Sequence, residues 1–546
     1  EQMAAFSQEP NVVQIELLNK PVATPPLDVS IPLVGADQVW ATQDWAGHDI
    51  RGEGIRIADF DTGVDVYHPD FWRADGGTYT WIDNDGGGFT GGGGECVDLN
   101  SSIACDFPGE TLRYFDESGS AGIGTSGVFE ANVDWLYNDA NANGSRDYGP
   151  TAGYTETQPT YGERIFLVND ANLNNTLDSG ENLVALGTSK VYATLNCGTV
   201  TRTRGVDLYL SDNDTNGHGT GVAGVLLGGN VVNVSGAHTV PNRRFVGVAP
   251  AAELLAANTS CWTPIPETTY IPWAANNGAS VMLYEFGKWW GEFMDGSSNL
   301  EQMIDTQAAN GIVQVVPAGN LAGSNKEDTE TIPAGGSHVF TANMPPLTLQ
   351  SWAFMAFIWR NPSVNVTYTL TTPFGTSVTM PATTGNNWGS TSLGSDTIWY
   401  RRLDSSLGTA NTAKYDIWIQ APGGIANGNW LIRADNPSGT SQMIYAYVAD
   451  NAYQWSGGMV WVNPNETKTV CWPATADNTV TVGSYSTRSG FDTVPVGDLS
   501  SFSSRGSRVD GARALDIAAP GGQFEVVAAE SRSSGASAIG KYQWFG

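Results

Sequence analysis

"SDNDTNGHGTGVAGVLLGG", Ser211 to Gly229, carries one of only five histidines in the chain. His218 stands between Gly217 and Gly219, with polar turn residues before it. Val222, Val225 and Leu226 follow at helical spacing, which predicts a small-residue helix starting at the histidine. Flanking glycines let another backbone approach the imidazole closely. A helix beginning there holds the ring rigidly, so a partner that orients the ring is the next thing to look for.

Two other segments have the same character. "IADFDTGVDVYHPDF" puts Asp61 at the end of the apolar strand "GIRIADFD", and "VVPAGN" puts Asn320 just past the β-branched run "IVQVV" at 312–316. Between them "NLEQMIDTQAANG" places Leu300, Met303, Ile304 and Ala308 on one helical face. Alternating helices and buried strands predict an α/β domain with a parallel sheet, whose ligands lie outside the carboxyl ends of the strands. An aspartate that accepts from one ring nitrogen orients a histidine as general base, and an asparagine amide can donate to a developing oxyanion. The set suits acyl transfer.

The rest of the chain frames this domain. With 546 residues it is too long for one core, and 41% hydrophobic residues make it globular. A net charge of −30 argues against nucleic acid and anionic membranes, and suits an extracellular protein or one that gathers cations. No run of eighteen apolar residues encodes a membrane span. The chain opens on Glu1, which reads as a processed or excerpted start.

Residues 1–25 form an N-terminal segment. Residues 26–72, 211–320 and 471–546 carry the α/β pattern, interrupted twice. The first interruption, 73–210, is rich in Gly, Asn and Asp. The second, 321–470, loses helical periodicity and reads as successive strands separated by Gly, Pro, Asn and Ser clusters. In "VNVTYTL", Val364, Val366, Tyr368 and Leu370 alternate with polar residues, so an inserted antiparallel β-sandwich is expected.

The first interruption has metal-ligand spacing. Asp170, Asn172, Asn174, Thr176, Asp178 and Glu181 fall at positions 1, 3, 5, 7, 9 and 12 of an EF-hand-type loop. Asp139, Asn141, Asn143, Ser145 and Asp147 repeat the spacing upstream, but Pro150 stands where the last ligand belongs, so that loop is weaker or borrows one. Structural Ca²⁺ is the expected cofactor. Cys96 and Cys105 share one Gly-rich loop and are expected to pair, which places the chain outside the cytosol. Asn233, Asn365 and Asn465 open glycosylation triplets.

The motifs closely resemble those of the subtilisin-like serine proteases (subtilases). They are "ADFDTGVDVYHPDF", "NGHGTGVAG", "GVAP" at 247–250, "PAGN", "PATADNTVTVGSY" at 473–485, "FSSRG" at 502–506 and "LDIAAPG" at 515–521. Asp before His is the chain order of subtilisin. The resemblance covers about 30–72, 210–320 and 470–546. It implies that Asp61 orients His218 as general base, that Asn320 supplies the oxyanion hole, and that a polypeptide substrate lies against Leu283, Tyr284, Glu285, Phe286 and Gly287. Two departures stand out: Glu285-Phe286 replaces a usual Ser-Leu pair, and Gly221 replaces a second histidine. Residues 9–20 faintly resemble the last strand of a subtilase propeptide.

The family's Gly-Thr-Ser nucleophile motif should follow "DIAAPG" closely, yet the sequence runs "LDIAAPGGQFEVVAAESRSSGASAIGKYQWFG" to Gly546. Ser537 is rejected because Gly540-Lys541-Tyr542 stands where a small-residue helix should begin. The expectation is a serine endopeptidase whose nucleophile lies on a C-terminal continuation. Until that segment docks, the chain is expected to be inert, with an open apolar groove beneath His218. The rival is a non-catalytic structural or adhesive component of an extracellular assembly.

Overall fold

Residues 56–61 form the strand around which the α/β domain is built. In the computed structural model, residues 26–546 are described except 93, 107, 117–126, 212–213, 231–244, 262–265, 347–349, 385, 406–410, 453–454, 489–493, 523–525, 533–539 and 546. Residues 9–20, Asn233 and Ser537 therefore lie outside the described residues.

Arg56–Asp61 pairs in parallel with Glu253–Asn258 on one side and Val281–Tyr284 on the other. The sheet has eight strands, in the order Ile517–Pro520, Val480–Tyr485, Val313–Pro317, Val281–Tyr284, Arg56–Asp61, Glu253–Asn258, Val191–Asn196, Val200–Thr203. Only the last pair is antiparallel. Successive side chains alternate between two cores: Leu254 and Ala256 face one, Leu255 and Ala257 the other. Helices Glu267–Asn276 and Asn299–Ala309 cover one face through Tyr270, Ile271, Leu300 and Ile304. Helix His218–Leu227 covers the other through Ala223 and Leu227. Burial on both faces explains the near-continuous apolar strands. Each fully buried residue such as Phe60 or Leu254 contributes about 1.5–3 kcal/mol.

The 73–210 boundary needs correction. Val191–Asn196 and Val200–Thr203 are strands of the central sheet and not part of the interruption. "VYATLN" buries only alternate residues and is flanked by Gly- and Asn-rich turns, so its composition hides its parallel partner. Before it, six antiparallel strands close into a barrel: Thr78–Asp83, Glu95–Asp98, Thr111–Phe115, Trp135–Asp139, Ile165–Asn169 and Asn182–Ala185. Its small interior is filled by Val97, Leu112, Leu136, Phe166 and Leu183.

Between Glu327 and Trp461 the chain forms a six-stranded and a five-stranded antiparallel sheet. Phe340, Phe357, Tyr368, Trp430 and Trp461 lie in their shared core. The strand Trp352–Arg360 is buried on both sides, which accounts for the unbroken "WAFMAFIW". Met355, Phe357 and Trp359 enter the shared core, while Phe354, Ala356 and Ile358 pack on Trp289, Leu321, Cys471 and Val509 of the α/β domain. The two-sheet module is therefore seated beside the strand that leads to Asn320. Disulfides join Cys96 to Cys105 and Cys197 to Cys261, and Cys471 is a buried thiol.

Candidate active site

His218 opens its helix at the carboxyl end of the central sheet. Its Nδ1 lies 2.7 Å from Asp61 Oδ2 and 2.8 Å from Oδ1. Asp61 is sealed in, with a side chain 2% exposed, while His218 is 49% exposed. Asp61 Oδ1 also accepts from the Thr62 backbone N–H at 2.6 Å. The hydrogen bond to Asp61 raises the imidazole pKa to about 9, against the opposing effect of burial. Nδ1–H is thereby committed to Asp61, and Nε2 is left to exchange a proton.

Sequence reading missed how the histidine helix is anchored. Buried Asp214 accepts from Gly217 N (2.9 Å), Thr220 N (2.9 Å) and Thr220 Oγ1 (2.8 Å), and so satisfies donors of the first helical turn. It also accepts from Thr62 Oγ1 at 2.9 Å, tying the helix to the strand that carries Asp61. At the other end, buried Lys190 donates to Leu227 O at 2.6 Å. Asp214, four residues before His218, was the readable signal; Lys190 lies too far away in sequence to give one. Gly219 is required for space: a Cβ there would stand 2.2 Å from Gly63 O. Gly219→Ala should therefore separate the helix from the Asp61 strand and cost about 1–3 kcal/mol, read as a lower midpoint in urea unfolding.

Asn320 follows the strand Val313–Pro317, exposed and without a side-chain partner among the described residues. Gly319 before it has φ 101°, and a Cβ there would meet Cys471 Sγ at 2.6 Å, so the glycine lets the chain turn Asn320 outward. His218 and Asn320 share the wall of a cavity of about 400 Å³. Val222, Val225 and Leu226, the helical stripe seen in the sequence, line it with Val482 and Val526. That stripe faces this groove, while Ala223 and Leu227 enter the core.

A family model described as "Subtilase family" matches residues 52–344 and 370–544. The chain belongs to that family. Subtilisin DY of Bacillus licheniformis is 34% identical over 125 residues, 22% of this chain and 40% of its own length. Subtilisin-like protease 1 of Arthroderma otae is 35% identical over 111 residues, 19% of this chain and 22% of its own. These matches span less than half of either relative. The Clostridium perfringens CspB protease shares the fold, with a TM-score of 0.58 at 15% identity over 94% of this chain and 82% of that one.

The five-residue cleft segment divides. Leu283 and Glu285 line the groove. Tyr284 does not: it is fully buried, with its hydroxyl donating to Gln314 Oε1 at 2.9 Å. Strand alternation turns it away from the face its neighbours present. Phe286 lines an adjacent cavity of about 430 Å³ with Tyr270, Lys288 and Leu300. Gly287 packs against Trp472, whose O lies 3.3 Å from where a Cβ would stand.

In the barrel, the loop from Asp170 to Glu181 folds its oxygen donors inward. Asp170 accepts from Asn174 N (3.2 Å) and Asn175 N (2.8 Å). Glu181 accepts from Ala171 N (2.9 Å) and Asp178 N (3.0 Å). Asn172 and Asn174 donate to Asp178 Oδ2 at 2.7 and 2.6 Å, and Thr176 N donates to Asn174 Oδ1 at 3.1 Å. Asp139, Asn141, Asn143, Ser145 and Asp147 repeat this arrangement. There Glu163 fills the place left by Pro150, accepting from Ala140 N (2.7 Å) and Asp147 N (2.8 Å). The loop Asp98–Glu110 has the same geometry. Asp98 accepts from Ser102 N, Asn100 donates to Asp106, and Glu110 accepts from Leu99 N and Asp106 N. Its Ser and Ala and its longer reach to Glu110 hid it in the sequence. The donor set is all oxygen, mostly carboxylate and amide, and fits Ca²⁺.

Proposed function

We propose that this chain is the base-bearing part of a secreted serine endopeptidase. The observation that carries the reading is the Asp61–His218 hydrogen bond beside Asn320 on the wall of an open apolar groove. The groove's occupant is a nucleophile-bearing helix on a continuation beyond Gly546. The hairpin of Val526–Glu530 and Lys541–Phe545 supports this, because Phe545 pairs with Val526, itself a groove residue. A chain leaving Phe545 therefore emerges at the groove, where Val222, Val225 and Leu226 offer an apolar seat.

In the assembled site a serine hydroxyl attacks the scissile carbonyl and passes its proton to His218 Nε2. Asp61 holds the resulting imidazolium in place, and the Asn320 amide donates to the tetrahedral oxyanion. His218 returns the proton to the leaving amine. Water then repeats the sequence on the acyl-enzyme, releasing the acid and the free serine. The polypeptide lies along Leu283 and Glu285. Two disulfides support an oxidising, extracellular setting. Treating the folded full-length protein with a fluorophosphonate and mapping the product by peptide mass spectrometry tests the reading. The expected label is on a serine beyond Gly546, and absence of any labelled serine would overturn it.

Ca²⁺ in the barrel loops belongs to the same proposal. Asp170, Asn172, Asn174, Asp178 and Glu181 would hold one ion, and Asp139, Asn141, Asn143, Asp147 and Glu163 a second. A cation bound only by the folded state stabilises it by mass action, about 2.7 kcal/mol at a hundredfold excess over Kd. EDTA should lower the melting temperature by several degrees and excess Ca²⁺ should restore it. An unchanged melting curve would remove calcium from the account.

A further inference from the structure

Among the described residues Glu285 is the one acidic residue on the groove wall, and the family resemblance gives it no task beyond lining the substrate cleft. It follows the strand Val281–Tyr284, with its backbone N–H donating to Phe60 O at 3.1 Å. That bond carries it to the end of the neighbouring strand, where Asp61 stands. One carboxylate oxygen of Glu285, one of Asp61 and one ring nitrogen of His218 all lie within 4.8 Å of one another. Within the described residues, the Glu285 side chain has no hydrogen-bond or ion-pair partner. Half-buried on the groove wall, its carboxylate is less screened by water than a surface group, so a nearby charge acts on it strongly. The cation within reach is the protonated imidazole of His218.

We propose that Glu285 is a positioning residue for His218, its carboxylate forming with that of Asp61 a two-carboxylate cradle that stabilises the imidazolium formed during proton transfer. This rests on His218 acting as the base in the proposed reaction. Asp61 grips the ring by a hydrogen bond to Nδ1, while Glu285 acts through space from the groove side. Asp214 in the loop before the helix acts on the ring with the same sign, and Asp59 on the Asp61 strand interacts with Asp61 and Glu285. Burial and the charge of Asp61 push Glu285 up to about 7, with His218 opposing the shift, so Glu285 ionises near neutrality. Burial, with Asp61, Glu285 and Asp214, keeps Asp59 well above the usual carboxylate range, so it adds little charge there. Ionised Glu285 favours protonated His218. Removing its charge lowers the pH at which the base becomes free.

The test is Glu285→Gln, which keeps shape and removes charge, beside Glu285→Asp, which keeps charge. His218 is titrated by NMR in chains carrying ¹³C-labelled histidine. Five histidines keep the spectrum simple, and His218→Ala assigns the signal. Glu285→Gln should lower the His218 midpoint by about one pH unit, and Glu285→Asp by less. In the full-length enzyme the acid limb of the kcat profile should move down by the same amount. An unmoved His218 midpoint in a folded Gln variant overturns the proposal, whether or not the protein is a protease. So does a Gln variant that changes only KM for substrates with a basic residue, because Glu285 would then be a specificity contact. A moved midpoint in a protein that no fluorophosphonate labels keeps the cradle and discards the protease reading.

Discussion

His218→Ala should lower kcat of the proposed endopeptidase by about 10⁶-fold with little change in KM. That magnitude is the one measured in subtilisin and is carried over by family. The expected pattern, however, follows from the geometry. Nδ1 is held by a carboxylate 2.7 Å away, so the ring has one orientation and one free nitrogen. Alanine removes the proton acceptor without touching Leu283 or Phe286, which face substrate-sized cavities. Ground-state contacts survive and only the transition state loses a partner. The anchor of the helix is also spared, because Asp214 holds backbone groups of Gly217 and Thr220 and not the imidazole. Steady-state kinetics on a chromogenic peptide, with a urea melt on the same sample, separates the two effects. Turnover within tenfold of the parent enzyme would remove His218 from its role as base.

What the sequence could reveal depended on how local each feature is. Asp61, His218 and Asn320 each sit in a short motif at a strand end or helix start, where turn chemistry and periodicity change within a few residues. The convergence of three strand ends is a property of α/β sheets, so the motifs could be placed together from the sequence alone. Alternation in "VNVTYTL" was equally local, and Tyr368 and Leu370 are fully buried. Long-range pairings left no comparable mark. Val191–Asn196 joins the central sheet only because Glu253–Asn258 lies beside it, and nothing within "VYATLN" records that. Lys190 on the helix carboxyl end and Glu163 in the Asp139 loop are likewise supplied from outside the segments they complete. Tyr284 was placed in the cleft by resemblance, when the strand's own alternation already turned it inward.

Asn320→Ala should lower kcat by about 10²–10³-fold, again leaving KM nearly unchanged. This range too was measured in subtilisin. The structural grounds are the position of Asn320 and its lack of any competing bond. Buried asparagines are usually consumed by neighbouring groups, as Asn436 is by Ile332 O, Pro333 O and Thr440 O. Asn320 is exposed, stands on a glycine turn, and has no side-chain partner among the described residues. Its amide is free to donate when negative charge develops on a carbonyl oxygen in the groove. The neutral carbonyl of bound substrate draws less from the same donor, so loss of the amide falls on the transition state. Asn320→Asp gives the sharper contrast, because it keeps shape and places an acceptor where a donor is needed. It should be slower than Asn320→Ala at neutral pH and recover towards it as the new carboxyl protonates. Equal activity of Asn320→Asp and the parent across that range would mean that the oxyanion is held elsewhere.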